Sequence, residues 1–383
     1  MVYEPHEDSF LMQKNLYPFV HGRVLDIGTG MGILAQEAAK YANQVLAVDI
    51  DSKVLAYAQK QCCSLSNITF CQSDLFSNVK GTFDVILFNP PYLPTDYRAP
   101  DVALDGGKKG YEIIERFLNA VSCYLKPEGV ILLVFSSLTK KAKIDEILKE
   151  NLFEAELIEA QKFSFEELYL YRISKSAVLK KLEDKGITQV HFMAKGHRGC
   201  VYSAVFKRTN KPVVVKVKNP KATIDKLWNE IKFLKLFQKY SFAPKLYEVY
   251  SINYDFVVME FVDGKPILDF FTTANKQDIL NVVKKIFEIA MTLDTLKINK
   301  EEMHHPMKHI IITKKLRVVF IDFERCRYTE KPKNVTQFCQ FLCHGSVREL
   351  LAKKGLTVDK EKILDAAKRY KVGGTFTFTS LFK

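Results

Sequence analysis

Asn89-Pro90-Pro91-Tyr92 is the tetrapeptide of this chain that carries the most specific chemistry. A planar amide or exocyclic amine is a poor nucleophile because its lone pair is delocalised. The Asn89 side-chain carbonyl and the Pro90 backbone carbonyl can each accept one N–H of such a group, which turns the nitrogen lone pair toward an electrophilic carbon. The prolines remove donors and stiffen the loop, and Tyr92 offers a ring face for a flat group to stack on. Such an arrangement would suit transfer of a methyl group to nitrogen, with orientation worth up to roughly 7–11 kcal/mol and no side-chain base needed.

An electrophile has its own expected site. Asp26-Ile27-Gly28-Thr29-Gly30-Met31-Gly32 stands where a strand should turn into a helix, and Gly28, Gly30 and Gly32 allow positive φ and close approach of a ligand. The acid ahead of the glycines and the GxGxG spacing favour a cationic ligand, S-adenosylmethionine, over a dinucleotide pyrophosphate. Asp49, ending the next apolar run, is placed for two ribose hydroxyls. Asp74-Leu75, after the third, is placed for an adenine amino group.

These residues must sit at the ends of strands. Arg23–Ile27, Gln44–Val48, Ile68–Cys71, Asp84–Phe88 and Gly129–Phe135 read as buried strands, and 32–41, 53–62, 111–124 and 140–150 as the helices between them. The fold class is therefore α/β, a mostly parallel sheet with helices on both faces, closed by a hairpin of 154–160 and 167–173. Past Ser174 a short basic helix (177–185), three strand-like runs (189–194, 201–207, 212–218), a helix near 224–240 and further helices predict an α+β two-lobed domain. The expected division is 1–174 and 175–383.

At roughly 150 residues per domain, 383 residues predict between two and three domains. A content of 47% hydrophobic and 26% charged residues excludes a disordered or fibrous chain. No apolar run approaches the roughly 20 residues of a membrane span. The eight cysteines, with no CxxC pair, predict reduced thiols of a cytoplasmic protein and exclude a zinc ribbon. Residues 1–173 hold 17 Lys+Arg against 23 Asp+Glu, a balance of −6, and the remainder 40 against 21, or +19. A half that basic suits tRNA, the ribosome or another polyanion.

With those motifs in place, residues 1–173 resemble the HemK/PrmC group of glutamine methyltransferases, S-adenosylmethionine-dependent enzymes that modify a side-chain amide in peptide-chain release factors. The matching pieces are Tyr3-Glu4-Pro5-His6-Glu7-Asp8-Ser9-Phe10-Leu11, the Asp26–Gly32 loop, Asp49, Asp74-Leu75 and Asn89–Tyr92. The resemblance implies a class I methyltransferase fold and adds Ser9 and Asn89 to the cofactor site. Leu104–Gly110 matches a family loop less well, because Lys109 stands where an acid is expected. The chain starts at the Tyr3–Leu11 segment, so the resemblance is to the short archaeal and eukaryotic branch, whose members often pair with a small zinc-binding activator. NPPY also serves enzymes that methylate nucleobases. A tRNA or rRNA base N-methyltransferase with the basic half as RNA anchor is therefore the alternative, although base flipping favours a basic catalytic groove and this half is acidic.

The second constellation comprises Lys195–Tyr202, with Gly196 and Gly199; Lys216 in Val213–Val217; Glu230 in Asn229-Glu230-Ile231; Val257–Gly264; and Asp322 in Val319–Glu324. Residues 190–330 resemble the small atypical protein kinases of the RIO type and the kinase of the KEOPS complex. The resemblance implies a short glycine loop over ATP phosphates, Lys216 on the α- and β-phosphates and paired with Glu230, a hinge at Val257–Gly264, and Asp322 on Mg²⁺ or Mn²⁺. Thirteen residues before Asp322, where the family has an Asn metal ligand, stands His309; five before that, where it has the catalytic Asp, stands His304. His304 as a base and His309 as a metal ligand are the substitutes expected at those positions; ATP binding or ATPase-like switching, and a docking lobe without catalysis, are the alternatives to phosphotransfer. Trp228, the only tryptophan, is expected in the core. Phe376, Phe378 and Phe382 read as a packed tail.

Overall fold

The structure, a computed structural model, describes residues 6–95, 104–196, 199–218, 226–250, 256–374, 376–378 and 382. The chain divides into two compact units, Met1–Phe192 with Ser203–Lys211 and Met193–Tyr202 with Pro212–Lys383.

In the first unit the order is α1 (Glu7–Lys14), β1 (Arg23–Ile27), α2 (Ile33–Ala39), β2 (Gln44–Asp49), α3 (Ser52–Gln61), β3 (Ile68–Gln72), β4 (Phe83–Phe88), α4 (Glu112–Ala120), β5 (Leu125–Ser136), α5 (Lys141–Glu150), β6 (Phe153–Lys162), β7 (Glu167–Lys175) and α6 (Ala177–Asp184). The seven strands lie in the order β3-β2-β1-β4-β5-β7-β6. The first five run parallel, and β7 is antiparallel to both β5 and β6. That is the class I methyltransferase arrangement, a mostly parallel sheet with a terminal antiparallel hairpin. Val24, Leu25, Val85, Ile86, Leu87 and Leu132 are completely buried, as continuous apolar runs require when both faces of a sheet are covered. In α4, Ile114, Phe117 and Leu118 share the buried face at the i, i+3, i+4 spacing of an amphipathic helix.

Two elements depart from the sequence expectation. Helix α1 has no counterpart in it; the short segment shows little sidedness in its sequence yet buries Asp8, Ser9, Leu11 and Met12. Strand β5 begins at Leu125, four residues before the expected start, and absorbs Pro127 and Gly129 at a register shift opposite Phe83 and Val85. A side chain at Gly129 would lie 2.9 Å from the Asp84 carbonyl oxygen, so that glycine permits a close approach rather than a turn.

Beyond α6 come β8 (Ile187–Lys195), β9 (Gly199–Phe206), β10 (Lys211–Lys218), α7 (Lys226–Phe237), β11 (Leu246–Tyr250) and β12 (Phe256–Glu260). These five strands form one sheet in the order β11-β12-β10-β9-β8, with β10 antiparallel to β12 and Lys216 opposite Val257. Then follow β13 (Gly264–Pro266), α8 (Ile267–Thr273), α9 (Lys276–Thr295), β14 (Ile298–Asn299), β15 (Ile310–Thr313), β16 (Val318–Phe320), β17 (Arg327–Tyr328), α10 (Asn334–Leu342), α11 (Gly345–Ala352) and α12 (Lys360–Lys371). Between β14 and β15 the chain makes two short 3-10 turns, Glu301–His304 and Pro306–Lys308. Strands first and helices afterwards give the second unit the kinase-like arrangement. Its core gathers Phe237, Phe271, Phe287, Phe320 and Phe338.

Trp228 is 43% exposed, against the expectation of a core position. It sits two residues before Glu230 on α7, about 200° away around the helix. Because Glu230 is completely buried, Trp228 faces outward, with the Lys232 ammonium 5.6 Å from its ring centre. The Phe376 ring packs 4.6 Å from that of Phe287. Among the described residues, no helix is long and apolar enough to cross a membrane, and all eight cysteines are unpaired.

Candidate functional site

Strands β2, β1 and β4 are neighbours, and the order reverses at β1 because α2 leads out to β2 on one side while β4 returns on the other. Ligands of open α/β sheets bind beyond the carboxyl ends of strands at such a point, and the first group of expected residues converges there. Gly28, Gly30 and Gly32 all have positive φ, of 67°, 54° and 85°. The Gly28 and Thr29 N–H groups donate to the Val48 carbonyl at 2.8 and 3.0 Å, and a Cβ on Gly28 would sit 4.0 Å from the backbone oxygen of Asn89. The Gly30 N–H donates to Asp49 Oδ2 at 3.0 Å, and the Asp51 N–H to Asp49 Oδ1 at 3.0 Å. Those bonds aim the Asp49 carboxylate along the glycine loop.

Asp26 lies beneath the loop, fully buried. Its Oδ2 accepts from the Thr29 hydroxyl at 2.6 Å, while Oδ1 has no hydrogen-bond partner. Burial, with the nearby negative charge of Asp49 adding to it against the Thr29 bond, raises the Asp26 carboxyl to about 7. A buried orphan acceptor of this kind is costly, and it fits a ligand bringing a cationic group to the loop. Asn89 has the same feature. Its Nδ2 donates to Ser9 Oγ at 3.3 Å, and its Oδ1 is buried without a partner. Tyr92 donates its hydroxyl to Asp8 Oδ2 at 3.1 Å. Helix α1, absent from the sequence expectation, therefore supplies two residues that hold the tetrapeptide.

The 104–110 loop braces the main chain directly after the tetrapeptide and packs against its last carbonyls. Leu93 N–H donates to the Leu104 carbonyl and Gly106 N–H to the Leu93 carbonyl, at 2.9 and 2.8 Å. Any side chain at Gly106 or Gly110 would collide with the Pro91 or Tyr92 carbonyl oxygens, at 2.8 and 2.6 Å. At Lys109, where the resemblance expects an acid, the backbone N–H donates to both carboxylate oxygens of Glu112 from α4. Asp74 is less committed to a ligand. It is exposed and pairs with Arg116 at 2.8 Å, and Leu75 turns the chain at φ 47°. Of the Tyr3–Leu11 motif, Tyr3, Glu4 and Pro5 lie outside the described residues.

The second site is as compact. Lys216 Nζ donates to both carboxylate oxygens of buried Glu230, at 2.7 and 2.8 Å, and lies 3.8 Å from Asp322 Oδ1. Burial works against the ammonium, but Glu230 and Asp322 outweigh it and hold Lys216 above the ordinary lysine range. Burial likewise opposes the Asp322 carboxylate, and Lys216 and Lys300 foremost overcome it, keeping its pKa below the usual aspartate value. His309 Nδ1 stands 3.6 Å from Asp322 Oδ2, buried and without a hydrogen-bond partner. Burial foremost, and then Lys300, depress its pKa against the pull of Asp322, which favours the neutral imidazole, the form that ligates a metal. Oxygens of Glu230, Asp322 and Glu324 lie within 4.8 Å of one another. Carboxylates with a neutral imidazole fit Mg²⁺ or Mn²⁺.

Asn229 fixes α7 to this region through bonds of 2.9 and 2.8 Å to the Glu324 and Cys326 carbonyls. The Gly196 N–H meets the Gly199 carbonyl at 2.9 Å, closing a short turn between β8 and β9; His197 and Arg198 lie outside the described residues. His304 is exposed, its ring 4.6 Å from that of His305. Spacing alone gave no sign of Lys300, which is completely buried and whose Nζ donates to the Ile321 carbonyl at 3.0 Å and to that of Asp322.

Comparison with known proteins gives each unit a relative. Residues 7–165 match the family described as Methyltransferase small domain, and residues 187–340 that described as Protein tyrosine and serine/threonine kinase. Over 174 residues the chain is 43% identical to a protein named as an N5-glutamine methyltransferase of Methanocaldococcus jannaschii, covering 44% of this chain and 88% of the relative. It is 34% identical over 154 residues to the release factor glutamine methyltransferase of Haemophilus influenzae, covering 35% of this chain and 52% of the relative, so it spans about half the length of that bacterial protein. A solved E. cuniculi complex responsible for methylating a translation termination factor matches 45% of this chain and 98% of its own at 25% identity, with a TM-score of 0.39. Through its first unit the chain belongs to the protein N5-glutamine methyltransferase family, and the kinase-like unit follows it in the same polypeptide.

Proposed function

We propose that the first unit methylates the side-chain amide of a glutamine in a peptide-chain release factor. The observation that carries this reading is Asn89 Oδ1, a buried acceptor with no partner at the end of β4. S-Adenosylmethionine, when bound, supplies an electrophilic methyl carbon. The glycine loop and Asp49 would hold it, with Asp26 beside its cationic groups, Ser9 and Asn89 at the methionine end, and Asp74-Leu75 at the adenine. Asn89 Oδ1 takes one N–H of the glutamine amide and the Pro90 carbonyl the other, which fixes the nitrogen lone pair for attack. Tyr92, held by Asp8, packs against the flat amide. As nitrogen gains its bond to the methyl carbon, the carbon–sulfur bond would break with its electron pair left on sulfur, and nitrogen loses one N–H proton to water, so no side-chain base is required.

Transfer of tritiated methyl from S-adenosylmethionine to purified release factor should place label in glutamine after hydrolysis. Label in bulk RNA and none in the release factor would replace this reading by that of a base methyltransferase. The M. jannaschii and H. influenzae relatives support the glutamine amide, and resemblance to the short branch supports a small zinc-binding activator. A cytoplasmic location goes with that substrate. The second unit we read as RIO type, binding ATP with Mg²⁺ or Mn²⁺ through Gly196, Gly199, Lys216, Glu230, Asp322 and His309. Its half of the chain, at +19, has the charge to contact tRNA or the ribosome.

Asp26 sets a pH dependence for cofactor binding. In the free protein its carboxyl holds a proton below about pH 7, whereas a neighbouring cation favours the carboxylate. Binding at pH 6 should therefore release a proton, and affinity should fall about tenfold per pH unit below that pKa and level off above it. Calorimetry at pH 6 in two buffers of different ionisation enthalpy reads the proton directly. Equal apparent enthalpies in both would show that Asp26 does not titrate on binding. Asp26→Asn should flatten the profile.

A further inference from the structure

A kinase-like site needs a carboxylate beside the metal-holding aspartate to take the hydrogen bond of the attacking hydroxyl, and the count along the chain leaves only histidines there. The structure supplies one elsewhere. Lys300 Nζ, buried against the Ile321 and Asp322 carbonyls, also reaches Glu302 Oε2 at 3.5 Å, so a single ammonium bridges the Glu302 carboxylate to the main chain of Asp322. The Lys300 backbone N–H is itself anchored on Asn334 Oδ1 at 2.8 Å. The Glu302 side chain is 13% exposed, whereas that of His304, two residues on, points out to solvent. Its other oxygen has Arg325 Nε at 3.7 Å. Both cations stand beyond the 2.7–2.9 Å of a strong charge-assisted bond, which leaves lone pairs of Glu302 to accept. Of the other carboxylates near Asp322, Glu230 is committed to Lys216 and Glu324 belongs to the three-acid group.

We infer that Glu302 is the catalytic carboxylate of the second unit, accepting the proton of a protein serine or threonine hydroxyl, with Lys300 holding it in register with Asp322. The inference rests on the nucleotide-binding reading of that unit. The hydroxyl oxygen bonds to the γ-phosphorus of ATP. The bond from that phosphorus to the β–γ bridging oxygen breaks, and its electron pair leaves with ADP. The hydroxyl proton passes to Glu302 and from there to water. The sequence did not show this because the two 3-10 turns give this loop a different path from the one that a fixed count back from Asp322 assumes.

Full-length protein with γ-labelled ATP and Mg²⁺ tests it through self-labelling and phosphate release, alongside ATP-induced thermal shifts. Glu302→Gln should keep the wild-type shift and lose about a hundredfold or more in transfer. Glu302→Asp should recover part of the loss, and His304→Ala should transfer like wild type. Transfer by Glu302→Gln at the wild-type rate would overturn the inference, as would a loss confined to His304→Ala. A thermal shift abolished in Glu302→Gln would make Glu302 part of nucleotide binding and overturn its role as base. Wild-type protein that binds ATP but transfers nothing to itself or water also overturns it. No wild-type shift at all would remove the nucleotide reading on which the inference stands.

Discussion

Replacing Asn89 by alanine should lower methyl transfer about a hundredfold or more, while leaving S-adenosylmethionine affinity within a few-fold of wild type. Preorganised hydrogen-bonding groups at a reacting centre are worth about 10²–10³ in turnover when one is removed, and Asn89 Oδ1 is such a group, buried and waiting for a donor. In the proposed reading cofactor contacts come mainly from the glycine loop and Asp49, which are tied to one another and not to the Asn89 side chain. The variant loses one long bond, 3.3 Å to Ser9, while the 104–110 loop still holds the main chain of Leu93, directly after the tetrapeptide. Single-turnover transfer to a glutamine acceptor and calorimetry with S-adenosylmethionine separate the two effects. Retained turnover would remove the amide-orienting role. Loss of cofactor binding to the same degree would make the methionine end of the cofactor, and not the amide, the main contact of Asn89.

How much of this site the sequence disclosed depends on the range of the interaction that builds it. The Asp26–Gly32 loop was legible because its conformation is local: three positive-φ glycines after a buried strand admit few readings. Asn89 and Lys216 were legible because each sits in or directly after a continuous apolar run whose strand assignment follows from period and length. Helix α1 was not, since its burial of Asp8 and Ser9 is a tertiary outcome that the segment's weak sidedness does not announce. The Arg116–Asp74 pair joins residues far apart in the chain and changes what Asp74 can offer an adenine. Trp228 is the opposite case. Helix geometry with a buried Glu230 two residues away already demanded exposure, and the habit of placing tryptophan in cores outweighed it. In the second unit the Lys216–Glu230 bond follows from the strand-then-helix order, whereas Lys300 shows only once the chain just after β14 is bonded to the Ile321 and Asp322 carbonyls just after β16.

Asp322→Asn should abolish most of the metal-dependent part of ATP binding by the full-length protein, and the local geometry makes this substitution unusually clean. Asp322 has a φ of 62°, the left-handed region, which asparagine tolerates better than most residues. The Lys300 bonds go to main-chain carbonyls, so they do not depend on the side chain that changes. Removing one negative charge also relieves the crowding of Glu230, Asp322 and Glu324. Besides the metal, two contacts weaken: Lys216 keeps both of its bonds to Glu230 and loses a charge at 3.8 Å, and His309 Nδ1 loses one at 3.6 Å. ATP with Mg²⁺ at about 100 times its dissociation constant adds roughly 2.7 kcal/mol to the folded state, a shift of several degrees for a unit of this size. In Asp322→Asn that shift should shrink to the value seen for ATP with chelator. Lys216→Met should weaken the shift equally with and without metal, because an ammonium on the phosphates acts whether or not the ion is there. An undiminished metal-dependent shift in Asp322→Asn would place the ion elsewhere, and no shift in wild type with either ion would leave the unit as a basic docking lobe.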